Sequence, residues 1–340
     1  MVLVGLPIGT FISLSFAAPL IKRFSPARTL MFVLSAWSLI FLLPAGANSA
    51  LVLAIALGCC GLIVGVLEIA SNVEADSIER QFNKRIMSRC HGFWSLGAMS
   101  GALLGGPVFG DRGVSVFDQF LVLSPIAVIA SVLVTRLLAS SRVLSTVPKH
   151  DQACNARRAP ISRHVFLLCL IPIGVMAVEG AFMDWSAVFM QEQMKTGSAV
   201  AGYTFAMFAG VMAAVRLSGD WLGERFGDAL VVRASGTTAA VGVILFATAS
   251  SVSVAFIGAA MAGAGAAIVY PLTMTAVAGV NETHREDNVA YLSIAAFSVF
   301  MIAPPVIGGV AEFSSLRYGL LILVPGAVVT ALLASRLTTR

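Results

Sequence analysis

Charge is what this sequence has least of. Only 11% of its 340 residues are Asp, Glu, Lys or Arg, against about 25% in a soluble globular chain. The hydrophobic fraction is 58% and the mean hydropathy +0.91, so a water-soluble fold is excluded and a membrane protein remains. Also missing is the strict apolar and polar alternation over about 10 residues that a transmembrane barrel requires. The five cysteines and four histidines show no metal-ligand spacing. No HExxH helix and no GxxxxGKS phosphate loop occur, so an intramembrane hydrolase and an ATP-driven pump both lack their machinery. The expectation is therefore no enzyme, no metal and no cofactor. Cys59 and Cys60 are adjacent inside an apolar run and read as small packing residues.

What the chain does have is long apolar runs rich in Gly and Ala. Crossing the hydrocarbon core takes about 20 apolar residues, and eleven runs qualify: 2–21, 29–46, 50–74, 91–110, 117–138, 165–189, 198–218, 230–249, 253–279, 288–310 and 318–335. The predicted class is an all-α polytopic membrane protein. A net charge of +5 and a pI near 9.2 do not point to nucleic acid, because the basic residues are scattered through connecting loops. They set topology instead. With the first span running inward, nineteen of the twenty-two Lys and Arg lie inside and only Arg112, Lys195 and Arg317 outside. The positive-inside rule then places the C-terminus in the cytoplasm, in a multi-pass protein of the cytoplasmic (inner) membrane.

The few charges cluster. The stretch SGDWLGERFGDALVVR (218–233) holds Asp220, Glu224, Asp228, Arg225 and Arg233, with Arg216 just ahead. A fainter copy, AAPLIKRFSPARTLM, occupies 17–31 and aligns Arg23 with Arg225 at an offset of 202 residues. GGPVFG (105–110) echoes APPVIGG (303–309) at an offset of 198. The chain reads as duplicated, a parallel repeat of the kind large transporters use. The expected division is an N-terminal bundle at 1–138, a polar cytoplasmic linker at 139–163 and a C-terminal bundle at 164–340, five spans and six. On this repeat logic about 40 residues and the first helix are missing ahead of Met1, which predicts an upstream start or a truncated gene. No basic n-region of a signal peptide precedes the first charge, Lys22.

GDWLGERFG resembles the loop motif between the second and third helices of each half of major facilitator superfamily transporters. LEIASN (67–72), HGFWSLGAMSGALLGG (91–106) and EGAFMDWS (179–186) resemble the fucose-permease-like, YbjJ-like branch. The resemblance implies a fold of two pseudo-symmetric helical bundles and a gating latch at the inner helix ends. Gly219 would allow close helix approach, and Asp220 would face a helix N-terminus or pair with Arg216 or Arg225. Glu224, Asp228 and Arg233 read as solvated topology charges. The first-half copy has Ala18 and Leu14 where Asp220 and Arg216 align, so the latch is expected mainly in the second half.

An ionisable side chain inside a span costs at least about 2.5–3.5 kcal/mol on insertion scales, which makes it a functional candidate. Gly58, Gly61, Gly65, Glu68 and Asn72 fall on one face of their helix, open to a neighbouring helix or a solute. Glu68 lies about 25 Å from the outer end at the helical rise per residue. Burial favours the neutral form of a carboxyl group, so Glu68 is a candidate proton carrier, against the alternative of an interhelical hydrogen bond that only holds the bundle. The branch resemblance implies proton coupling by a glutamate in an LExAxN context, which Glu68 matches. The branch's partner acid, on the first family helix, has no counterpart. Glu179 is the second candidate for the pathway. Asp184 lies roughly 140° around the same helix and is expected at the interface. Trp185 either stacks on a sugar ring or anchors at the interface, and His91 with Trp94 opens a span beside Arg89. Pro107, Pro271 and the pair Pro304 and Pro305 are expected bending points, tolerated where a neighbour satisfies the freed carbonyl. Gly61 with Gly65, and Gly101 with Gly105, supply GxxxG packing faces.

The leading expectation is a proton-coupled secondary transporter of a small polar solute, a sugar by resemblance, acting as a monomer with lipid, solute and protons as its partners. The rivals are a drug or metabolite exporter by proton antiport, and a truncated, non-transporting membrane protein or sensor.

Overall fold

The computed structural model describes residues 2–24, 26–82, 84, 86–142, 160–281 and 285–337. The predicted linker falls largely outside these, at 143–159. Every regular element among the described residues is helical. In chain order they are α1 (Gly5–Phe24), α2 (Pro26–Ile40), α3 (Leu42–Ala45), α4 (Ala50–Phe82), α5 (Met87–Leu103), α6 (Val116–Arg142), α7 (Arg163–Leu170), α8 (Ile173–Val188), α9 (Ser198–Leu217), α10 (Gly219–Phe226), α11 (Asp228–Ala247), α12 (Val252–Ala266), α13 (Val269–Gly279), α14 (Arg285–Phe313), α15 (Leu316–Leu321) and α16 (Val324–Leu333). Two π-helical segments, Leu104–Gly110 and Phe189–Gln193, extend α5 and α8.

Among the described residues nine helical stretches are long and apolar enough to cross a membrane. They correspond to nine of the eleven predicted spans. The first span is helical as α1, with its described apolar part confined to Gly5–Leu14. The fourth is helical as α5 and its π segment, but is not among those nine stretches.

Local sequence accounts for where the helices start and stop. Ser162 and Ser251 cap α7 and α12, their hydroxyls accepting from Val165 N at 3.2 Å and Val254 N at 3.4 Å. Several interruptions lie four residues before a proline, at the carbonyl whose helical donor the ring removes. Thus α2 ends at Ile40 ahead of Pro44, α15 at Leu321 ahead of Pro325, and α12 one residue short of Ala267, ahead of Pro271. Pro304 and Pro305 instead sit inside the unbroken α14, and Pro107 lies in the π segment.

Two compact units result, Met1–Met87 with Gly113–Asn155, and Ser88–Arg112 with Ala156–Arg340. In the first, α1 lies along α4 so closely that added side chains would collide. A Cβ on Gly61 would meet Leu6 O and come 2.7 Å from Thr10 N, and one on Gly65 would come 2.8 Å from Thr10 O. The glycine face foreseen on α4 is thus filled by a helix. α2 and α6 complete this unit, with Phe41 stacked on Phe120 at 5.3 Å between ring centroids. Leu121, Ile126, Leu133 and Leu137 of α6 are exposed, as a lipid-facing surface requires.

The second unit has a large core. Phe182 stacks on Phe208 and tilts against Phe246, both at 4.7 Å between centroids. The π segment after α5 joins this unit through small residues. A Cβ on Gly106 would sit 2.8 Å from Ser198 O, and one on Gly202 would sit 2.9 Å from Pro107 Cδ. A Cβ on Gly101 would meet open space, with no described neighbour within 4 Å, so the expected packing face at 101–105 is open on that side.

Candidate functional site

Two polar centres lie among the apolar helices, one in each unit. In the first, α4 carries Glu68 and Asn72 one turn apart, and Asn72 Nδ2 donates to Glu68 Oε1 at 2.8 Å. Both are half-buried. Helical spacing alone accounts for the pairing, since residues four apart share a face.

The second centre is built around Arg216, at the last turn of α9. The residue is 3% exposed and Glu179, in the middle of α8, is 4% exposed. Arg216 Nη2 donates to both carboxylate oxygens, at 2.9 Å to Oε2 and 3.1 Å to Oε1. Nη1 donates to Ser95 Oγ at 2.7 Å, and Nε to the carbonyl of Ala267 at 2.9 Å. Ser95 Oγ in turn donates to His91 O at 3.1 Å, and Ser88 Oγ donates to the carbonyl of Arg216 at 2.6 Å. One guanidinium therefore ties together α5, α8, α9 and the break between α12 and α13. Every nitrogen of the group is engaged, the condition under which a buried charge is tolerated. Arg216 and Glu179, expected in separate devices, are thus partners.

The remaining expected latch residues stand nearby. Gly219 opens α10, and a Cβ there would lie 2.5 Å from Ser88 Oγ and 2.9 Å from Ile268 Cγ2. Asp220 occupies the first turn of α10, where a carboxylate is favoured by the helix dipole. Arg225 is exposed in its last turn. Gly227 closes the motif with φ +81°, a conformation few other residues adopt, and its N–H caps α10 on Gly223 O at 2.9 Å. Asp184 and Trp185 are half-buried on α8. The indole edge of Trp185 lies 3.3 Å from where a Cβ on Gly308 of α14 would be. Its Nε1 is buried without a hydrogen-bond partner among the described residues. His91 stands edge-on to Tyr270 at 6.1 Å, and Tyr270 Oη lies 3.4 Å from Ser293 Oγ.

Sequence reasoning missed three participants. Ser88 and Ser95 are seven residues apart, hence on one face of α5, a signal easily passed over because serine is common in membrane helices. Arg317, read only as an outside charge, reaches the carbonyls of Ala247 at 2.7 Å and Ala249 at 3.0 Å and so caps α11 from α15. Its guanidinium carbon also lies 5.3 Å from the centroid of Phe189.

The Major Facilitator Superfamily model matches residues 1–247 and 182–340. The chain is 30% identical over 285 residues to the uncharacterized transporter y4wD of Sinorhizobium fredii, covering 83% of this chain and 73% of that protein. It is likewise 30% identical over 276 residues to an uncharacterized MFS-type transporter of Yersinia pestis, covering 79% and 68%. Membrane protein MosC of Rhizobium meliloti is 26% identical over 271 residues, 80% of this chain and 64% of MosC. Among solved structures, the MFS transporter FucP in its outward conformation superposes with a TM-score of 0.71 at 18% identity, over 99% of this chain and 90% of FucP. A variant of the E. coli fucose:proton symporter FucP gives 0.68 at 19% identity, over the same 99% and 90%. Likeness at that identity speaks for the fold, while the family match and the closer sequence relatives speak for descent. On these matches and this all-helical architecture, the chain belongs to the Major Facilitator Superfamily, a family of membrane transporters and not of enzymes.

Proposed function

We propose that the chain moves a small polar solute, a sugar or sugar-like molecule, across the cytoplasmic membrane by alternating access coupled to protons. The observation that carries the reading is the Glu68 and Asn72 pair, a carboxyl group hydrogen-bonded to an amide at 2.8 Å within a membrane-spanning helix. Such a group is retained at a cost of a few kcal/mol and is commonly part of an ion or substrate pathway. A structural relative is described as a fucose:proton symporter, and its solute and coupling ion are the ones to test. Glu179 and Trp185 are further candidates for the proton or substrate pathway in this reading. Arg216, Gly219, Asp220 and Arg225 gate its inner end, with Pro107, Pro271, Pro304 and Pro305 as points where the helices flex.

In this reading two homologous halves, 1–138 and 164–340, are joined by the linker 139–163, with eleven spans in all and the C-terminus in the cytoplasm. Purified protein in proteoliposomes tests the proposal. Glu68→Gln should abolish accumulation of radiolabelled L-fucose and related hexoses under an inward proton gradient while sparing their exchange. Full gradient-driven accumulation by that variant would remove Glu68 from the coupling path.

A further inference from the structure

In an uninterrupted helix the amide of residue 271 would donate to the carbonyl of residue 267. Residue 271 is proline and has no amide hydrogen, and Ala267 is fully buried, away from any water that could replace it. The carbonyl is satisfied all the same, by Arg216 Nε at 2.9 Å. This donor comes from α9, 51 residues earlier in the chain. The guanidinium is planar and its donors point in fixed directions. Glu179 at 2.9 Å and Ser95 at 2.7 Å hold its other two nitrogens and so set the plane in which Nε points. Beside it, the absent side chain of Gly219 lets α10 approach Ile268, the second residue of the break.

We propose that Arg216 is the replacement donor for the amide missing at Pro271, and that Glu179 is the positioning residue that aims it. The interruption between α12 and α13 is then held by a charged group on another helix, and not by proline alone. A break maintained this way is switchable. It persists while the ion pair is made and loosens when Glu179 is withdrawn, the kind of element that switching proteins use. The inference does not depend on which solute is moved or on protons being the coupling ion.

Hydrogen exchange of the purified full-length protein, read by mass spectrometry on peptides covering residues 266–276, provides the test. Arg216→Lys keeps a positive charge for Glu179 but removes the planar second arm, and should speed exchange of those peptides about tenfold, as for loss of a charged hydrogen bond. Pro271→Ala restores the local amide donor. In that background Arg216→Lys should leave exchange unchanged. An equal acceleration in both backgrounds, or none in either, would overturn the proposal. Should Arg216→Lys not fold, its combination with Pro271→Ala should fold, and failure of that rescue would overturn it as well.

Discussion

At the scale of single residues, the decisive feature is a charge pair sealed inside apolar helices. Removing one partner of such a pair leaves the other buried and uncompensated, which costs about 3–5 kcal/mol. Arg216→Met and Glu179→Met should each lower the thermal unfolding midpoint in detergent by a corresponding amount. The double variant should lose less than the sum of the two, with a coupling above about 1 kcal/mol, because residues in one network do not act additively. Strictly additive losses would mean that the two side chains stabilise the protein independently. Glu68 and Glu179 are legible in the sequence because an ionisable group in lipid is costly enough to single out, and Arg216 is legible through the charged motif that follows it. The Glu68 and Asn72 contact is legible too, as an i, i+4 pair. The union of Arg216 with Glu179 is not, because the two lie 37 residues apart and helical periodicity says nothing about which faces meet. The motif around Asp220 suggests a local partner instead.

Helices and their contacts set the next scale. The α1 and α4 helices meet through glycines whose replacement would strike backbone, which cannot move aside as a flexible side chain can. Gly61→Leu should therefore destabilise the protein by about 1–3 kcal/mol or more. Gly97→Ala, at a helical position with open space, should be neutral or stabilising by up to about 1 kcal/mol. Thermal unfolding compared across the two variants checks the contrast. Arg317→Ala should free the C-terminal carbonyls of α11 and cost about 1–2 kcal/mol. Hydrogen exchange should rise at the end of α11 near Ala247 while α9 is unaffected. Proline positions are informative in the sequence, yet their effects divide. Pro271 accompanies a break and Pro107 a π segment, whereas Pro304 and Pro305 lie in the continuous α14. Sequence cannot tell these cases apart, because it does not say which freed carbonyl finds a donor on another helix. At Ala267 that donor is Arg216.

The whole molecule is the most legible level, because composition, run length and charge placement are set by the lipid and not by particular contacts. An all-helical membrane fold follows from runs such as Val116–Leu137, 22 residues long and with a mean hydropathy of 2.2 over an 18-residue stretch within it. The π segment Leu104–Gly110 marks the limit of that argument. Its GGPVFG sequence reads through the repeat as part of the N-terminal half, yet Gly106 and Pro107 pack against Gly202 in a compact unit with the second-half helices. Glycine pairs specify close approach without naming the partner. The proposed coupling to protons is a property of the whole molecule, and solute-triggered proton movement reads it. Wild-type proteoliposomes containing a pH-sensitive dye, with no imposed gradient, should acidify when L-fucose or a related hexose is added outside, and liposomes bearing Glu68→Gln should not. Flux of those solutes with no accompanying change in internal pH would contradict the account.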